Sequence, residues 1–215
     1  MNKSLAHIRK EYSQRSLDKT DVSAAPAHQF SIWLDEAIES GALEATAMNL
    51  ATADASGKPT SRIVLLKGID QGNFLFYTNY KSHKGTILET NAFAAMNFFW
   101  PELERQVRIE GKIEKVSAEE SDVYFQSRPY GSRIGAWVSE QSKKVDTREE
   151  LEKRVKEYTK KYPEGSYVPR PDFWGGYRLI PSYFEFWQGQ PSRLHDRIVY
   201  ELKDNGQWDI YRICP

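Results

Sequence analysis

The sequence predicts an α+β protein made mainly of β-strands, and three observations lead there. Eight segments show an apolar period of two or a short solid apolar run, turn signals separate most of them at hairpin spacing, and the helical patterns lie at the margins. Many short strands joined mostly by tight turns, with peripheral helices, form the pattern of an antiparallel barrel.

The elements follow in order. Residues 1–25 read as a flexible polar arm, with Ser4 placed to cap a short basic helix. From Pro26, the apolar residues Phe30, Trp33, Leu34, Ala37 and Ile38 keep to one helix face, and Gly41 ends the helix. Strands are expected over 46–53, 60–68, 74–79, 93–100 and 106–116, with turns at Ala55-Ser56-Gly57-Lys58 and Asp70-Gln71-Gly72-Asn73. One helix covers 82–90, and a second starts behind a Ser117/Glu120 capping box. A third starts at Thr147 with Glu150 as its box partner and sets Leu151, Val155 and Tyr158 on one face. A proline-containing loop spans 163–171. Strands 177–187, 197–202 and 208–212 follow, the last two joined by Asn205-Gly206, a type I′ hairpin signal. Residues 26–215 thus read as one domain behind the arm.

Composition narrows the function classes. A chain of 215 residues suits one domain and buries about 70% of its extended surface without staples. Thirty Lys and Arg balance thirty Asp and Glu, which argues against nucleic acid or an anionic membrane as partner. The single cysteine, Cys214, allows no internal disulfide, so a reducing, cytoplasmic setting is expected. The longest apolar stretch, 93–100, falls far short of the roughly 20 residues that span a bilayer. Glu11 and Asp18 interrupt the basic N-terminus, so neither a signal nor a transit peptide is expected there. Six Trp, twelve Tyr and ten Phe are enough to line a site for flat ligands as well as to fill a core.

Motifs for a Rossmann turn, a P-loop, a zincin helix, paired cysteines or a nucleophile elbow are absent. His7, His28, His83 and His195 are scattered, and no metal site is expected. Three patches suit anions. Tyr77-Thr78-Asn79-Tyr80-Lys81-Ser82-His83-Lys84 passes from strand to helix, where free N–H groups and the helix dipole favour phosphate. Ser127-Arg128-Pro129-Tyr130-Gly131-Ser132-Arg133 reads as a turn-rich basic patch. In an extended Arg193-Leu194-His195-Asp196-Arg197, the first, third and fifth side chains share a face that either lies open to water or meets an anionic ligand. Arg62-Ile63-Val64-Leu65-Leu66-Lys67 reads as a buried strand bracketed by cations. Phe184 and Phe186 beside Gln188 and Gln190 suit either a core or a flat heteroaromatic ligand.

Read in order, R-I-V-L-L-K at 62–67, F-Y-T-N at 76–79, E-R-Q-V at 104–107, S-R-P at 127–129 and I-G-A-W-V-S-E-Q-S at 134–142 form a familiar series. With F-W-G-G at 173–176, E-F-W-Q-G at 185–189 and R-L-H-D-R at 193–197, the chain from about Arg9 onward resembles the pyridoxamine 5′-phosphate oxidases. The resemblance implies a split β-barrel homodimer with two FMN sites at the subunit interface. It implies oxidation of pyridoxine and pyridoxamine 5′-phosphates at C4′ to pyridoxal 5′-phosphate, hydride passing to flavin N5 and O2 becoming H2O2. By motif match, FMN contacts would come from Arg62, Ile63, Val64, Leu65, Leu66, Lys67, Tyr77, Thr78, His83 and Lys84, and from Gln106, Gln141, Ser142, Trp187 and Arg197. Lys67, Tyr124, Arg128 and Ser132 would hold the substrate phosphate, with Arg193, Leu194 and His195 over the pyridine ring. Arg193 and His195 would be the catalytic pair, and Arg9 and Tyr12 the arm's lid contacts. His83 stands where the family often carries arginine, and Cys214 where alanine is more familiar.

Two rival readings differ in class. A split-barrel flavoprotein without this oxidase activity would lack the R-L-H-D-R and S-R-P clamps, and both are present. A barrel stacking single-stranded nucleic acid on its rings would need a basic groove, which zero net charge disfavours.

Overall fold

Pro26 opens the first helix, α1 (Pro26–Glu39), at a position where its missing N–H forfeits no hydrogen bond. The computed structural model describes Leu5 and residues 11–215, so the expected Ser4-capped helix and the lid contact of Arg9 lie outside the described residues. After α1 come β1 (Ala47–Ala53), β2 (Pro59–Leu65), β3 (Gly68–Asp70), β4 (Asn73–Asn79) and α2 (His83–Thr90). Then follow β5 (Phe93–Trp100), β6 (Arg105–Lys115), α3 (Ala118–Ser127), α4 (Tyr130–Val138) and α5 (Arg148–Lys161). The chain closes with β7 (Trp174–Gln188), β8 (Asp196–Leu202) and β9 (Trp208–Arg212). Hydrogen bonding orders the strands β2-β1-β5-β6-β7-β4-β3, with β8 on β7 and β9 on β8. Among the described residues, no helix is long and apolar enough to cross a membrane.

Two compact units emerge. The first comprises the described residues of Met1–Asn49 with Ala95–Glu110 and Pro181–Pro215. Its core is aromatic: Phe30 meets Phe98 at 4.8 Å, Trp33 meets Phe186 edge-on at 5.2 Å, and Phe186 meets Tyr200 at 5.5 Å. Phe184 and Phe186 are fully buried, so both serve the core.

The second unit comprises Leu50–Ala94 and Gly111–Ile180. Here β4 pairs antiparallel with the first half of β7, Asn79 opposite Trp174, and one cluster joins Phe125, Ile134, Val138, Val168 and Trp174. That cluster explains α4, which the sequence reading took for a turn. Gly131, Ser132 and Gly135 are poor helix formers, yet Ile134, Ala136 and Val138 are buried and the Trp137 indole N–H donates to the Pro169 carbonyl at 2.8 Å. Packing outweighs propensity there.

One turn matches expectation and one differs. The turn expected at Asp70-Gln71-Gly72-Asn73 is present, with positive φ at Gln71 and Gly72 (47° and 80°), and it sets the short β3 opposite β4. At Asn205-Gly206 only Gly206 is left-handed, at φ 80°. The Lys203 N–H binds the Gln207 carbonyl at 2.9 Å, so β8 and β9 are joined by a three-residue loop ending in a glycine bulge and not by a type I′ turn. The 62–67 run is also less buried than its composition implies: Ile63 is 68% exposed, whereas Leu66 is core.

Candidate functional site

A cavity of about 600 Å³ opens in the second unit, within the range of small-molecule sites. Ile63, Val64 and Leu65 of β2 line it, with Lys67 just beyond the strand. The Lys67 main-chain N–H is held by the Leu75 carbonyl at 2.8 Å, leaving its exposed ammonium to reach the cavity. Tyr77 and Thr78 come from the end of β4, and Lys84 from the first turn of α2. That turn is set by Ser82, whose hydroxyl accepts the Gly85 N–H at 3.3 Å, as the strand-to-helix reading expects.

The electrostatics of this corner are unbalanced. Lys84 is buried, and its Nζ donates to Gln141 Oε1 at 2.9 Å and Thr78 Oγ1 at 3.1 Å, both neutral. Arg62 donates to Thr52 Oγ1 at 2.8 Å, Thr60 Oγ1 at 2.6 Å and the Leu50 carbonyl at 3.1 Å, again all neutral. Burial and then the nearby Arg62 charge pull the Lys84 pKa down to about 8, and burial lowers that of Arg62. Two cations side by side with only neutral partners fit a bound anion. Because Gln141 Oε1 also accepts from Thr78 Oγ1 at 3.1 Å, its amide NH2 remains a donor for a ligand.

A second basic set lines the same cavity. Tyr124 stands on α3, Arg128 caps that helix, and Ser132 sits in α4. Tyr124 stacks on Tyr77 at 3.7 Å and 15°, and Trp174 lies parallel to Tyr124 at 6.2 Å and 2°. Arg128 Nη1 is buried with no hydrogen-bond partner among the described residues. Arg133 does not join this set; its Nη1 turns to Gln126 Oε1 at 3.0 Å. Arg62, Leu66, His83 and Ser142 do not line the cavity: Arg62 is turned to Leu50, Thr52 and Thr60, Leu66 is core, and His83 and Ser142 are exposed.

The remaining expected residues belong to the first unit. Trp187 and Arg197 face each other in the β7–β8 pair, and Gln106 is half-buried on β6. Arg197 grips Glu185 with two bonds, at 2.7 and 2.9 Å, and donates to the Cys214 carbonyl at 2.9 Å. Glu185 is only 2% exposed and also takes Arg108 Nη2 at 3.0 Å. Its place as the one charge between Phe184 and Phe186 was the sequence signal for a buried ion pair, and it went unread.

Residues 193–195 are not extended, so the shared-face argument for Arg193, His195 and Arg197 fails. Ser192 and Arg193 have positive φ (55° and 61°) in a 3-10 turn, and β8 begins only at Asp196. Leu194 is 69% exposed. His195 Nδ1 accepts the Gln190 main-chain N–H at 3.1 Å, which leaves the proton of a neutral ring on Nε2. Burial, then the Arg193 charge, lower its pKa below the ordinary histidine range. The ring lies 4.6 Å from Trp187 and 5.8 Å from Tyr12.

Tyr12 is held there by main-chain bonds along its own segment. Glu104 Oε2 accepts the N–H groups of Ser13 and Gln14 at 2.9 and 3.2 Å, and Asp196 Oδ2 accepts that of Leu17 at 3.0 Å. A Cβ on Gly189 would sit 2.7 Å from the Tyr12 ring, so glycine is required for this close approach.

Comparison with known proteins agrees with this architecture. Residues 34–162 match the family model described as pyridoxamine 5′-phosphate oxidase, and residues 174–215 match the pyridoxine 5′-phosphate oxidase C-terminal dimerisation region. The chain is 67% identical over 215 residues to a pyridoxine/pyridoxamine 5′-phosphate oxidase of Cytophaga hutchinsonii, covering 100% of both chains. It is 54% identical to one of Chromobacterium violaceum, again over 100% of both. Among solved structures, PhzG from Burkholderia lata in complex with tetrahydrophenazine-1-carboxylic acid matches with a TM-score of 0.88 and 29% identity over 96% of this chain and 100% of that one. A pyridoxamine 5′-phosphate oxidase-related, FMN binding protein of Nostoc punctiforme shares the fold, with a TM-score of 0.69 at 17% identity over 86% of this chain and 97% of that one. The chain therefore belongs to the pyridoxamine 5′-phosphate oxidase family of split-barrel oxidoreductases.

Proposed function

We propose that this chain is a cytoplasmic enzyme that oxidises pyridoxine and pyridoxamine 5′-phosphates at C4′ to give pyridoxal 5′-phosphate, with FMN as cofactor and O2 as final acceptor. The observation that carries this reading is the cavity lined by Lys84 on one side and by Lys67 and Arg128 as further cations, with an aromatic wall. It suits two phosphorylated flat ligands. When bound, FMN supplies an acceptor for the C4′ hydride and a route for both electrons to O2, giving H2O2.

The protein's part is to hold and orient. Arg62, Lys84 and Thr78 take the cofactor phosphate, and Gln141 donates its amide NH2. Lys67, Tyr124, Arg128 and Ser132 take the substrate phosphate, which fixes C4′ at reacting distance. Arg193 and His195 cover the pyridine ring. His195, neutral with its proton on Nε2, donates a hydrogen bond to the ring substituents. Trp187, Gln106 and Arg197 complete the FMN contacts. The two sites belong to the interface of a homodimer, and Tyr12 covers the substrate from the arm.

The assay is aerobic turnover of the FMN-loaded protein with both phosphates, following the aldehyde and peroxide. One H2O2 per pyridoxal 5′-phosphate is expected, with poor turnover of the dephosphorylated compounds. Bound FMN without either product would defeat the proposal.

Lys84 adds a pH dependence. Its pKa of about 8 in the anion-free protein rises once a phosphate sits beside it, so binding above that pH must take up a proton. FMN affinity is expected to be level between the second phosphate ionisation, about pH 6, and about pH 8, then to fall up to about tenfold per unit. Fluorescence titration of FMN across the alkaline range checks this, and a flat profile contradicts it.

A further inference from the structure

Trp174 belongs to the F-W-G-G segment, which the assignment above leaves without a role. It is almost fully buried and lines the cavity. Its main chain is clamped: the N–H donates to the Pro171 carbonyl at 2.9 Å, and the carbonyl accepts Arg170 Nη1 at 2.7 Å. Arg170 is anchored in turn by Asp122 at 2.7 Å. The indole is therefore a fixed surface.

Arg128 rests on that surface. Its guanidinium carbon lies 4.4 Å from the Trp174 ring centre and 5.5 Å from that of Phe125, and the two rings meet edge-on at 5.2 Å and 69°. The contrast with Lys84, which lines the cavity, and with Arg62 near it is informative. Arg62 and Lys84 are oriented by oxygen acceptors. Arg128 has no carboxylate at ion-pair distance among the described residues, and its Nη1 is unpartnered. Aromatic rings hold it in place of a carboxylate, and a planar guanidinium can stack on the Trp174 face, whereas an ammonium is held at a ring by its charge alone. The arrangement orients the cation while leaving the buried Nη1 without an acceptor among the described residues.

We propose that Trp174 is a positioning residue for the substrate phosphate, acting through Arg128. Its indole face holds the guanidinium ready, so the phosphate meets an oriented donor set. This rests on the reading of Arg128 as a substrate-phosphate ligand.

The test compares phosphorylated and unphosphorylated ligands on FMN-loaded protein, by the KM ratio of pyridoxine 5′-phosphate to pyridoxine and by calorimetric binding of pyridoxal 5′-phosphate against pyridoxal. Loss of the stack in Trp174→Leu is expected to cut this discrimination about tenfold, mainly through KM and Kd of the phosphorylated ligand. Trp174→Phe keeps an aromatic face and should retain most of it. In an Arg128→Leu background, Trp174→Leu should add nothing. If Arg128→Leu itself leaves discrimination intact, the assignment of Arg128 fails. If Arg128→Leu abolishes discrimination while Trp174→Leu leaves it at the wild-type value, or if the two losses add in the double variant, the positioning role is overturned. Should Trp174→Leu not fold, Arg128→Lys takes its place, keeping the charge and giving up the planar stack; full discrimination there overturns the proposal equally.

Discussion

Lys84→Met is expected to weaken FMN retention about 10- to 150-fold, the equivalent of about 1.5–3 kcal/mol for one charged hydrogen bond to phosphate. Methionine matches the length and apolar stem of lysine, so the buried side chain is replaced with little change in volume. What disappears is the charge near Arg62 whose partners, Thr78, Gln141 and Ser82, are all neutral. The decline in FMN affinity above about pH 8 should vanish in the same variant, because its cause is the Lys84 proton. Equilibrium titration of wild type and variant at two pH values reads both effects. Unchanged affinity would place the cofactor phosphate elsewhere.

Gly85→Ala should destabilise the fold by about 3 kcal/mol or more, at the upper end of overpacking effects. The added Cβ would lie 1.9 Å from the Tyr80 carbonyl oxygen and 2.5 Å from its carbon. Those are backbone atoms and cannot rotate aside. Relief requires α2 to shift from the end of β4, which moves Lys84 away from Thr78, so FMN binding should suffer with stability. In a domain of this size the melting temperature should fall by about 6–12 °C. Gly131→Ala is the control: it lies in α4 with open space around the new Cβ, and should be neutral or slightly stabilising. Equal melting temperatures for the two variants would show that the Gly85–Tyr80 approach is not tight in solution.

The unequal legibility of these features has physical causes. Strands over 93–100 and 208–212 and the helix at 83–90 announce themselves through local periodicity and capping, which are properties of neighbouring residues. The helix at Tyr130–Val138 does not, because two glycines, a serine and a preceding proline mask an apolar face that matters only against Phe125, Val168 and Trp174. The same holds for the site. Lys84 and Thr78 are readable from a strand-to-helix junction, whereas the acceptors that orient Arg62 include Thr52 from another strand. For Arg193 and His195, period-two reasoning failed because positive φ at Ser192 and Arg193 breaks the extended backbone it assumes. Their assignment rests on the R-L-H-D-R match; the bond from Gln190 to His195 adds the tautomer, which no sequence pattern encodes.

The central claim is that the cavity holds FMN and a pyridine phosphate together for hydride transfer, and anaerobic stopped-flow mixing tests it most directly. FMN-loaded protein mixed with pyridoxine 5′-phosphate in the absence of O2 should lose the long-wavelength flavin absorbance in a single turnover. Pyridoxine without its phosphate should bleach it far more slowly at the same concentration. A flavin that stays oxidised with the phosphorylated substrate, while remaining bound and reducible by dithionite, would contradict the account.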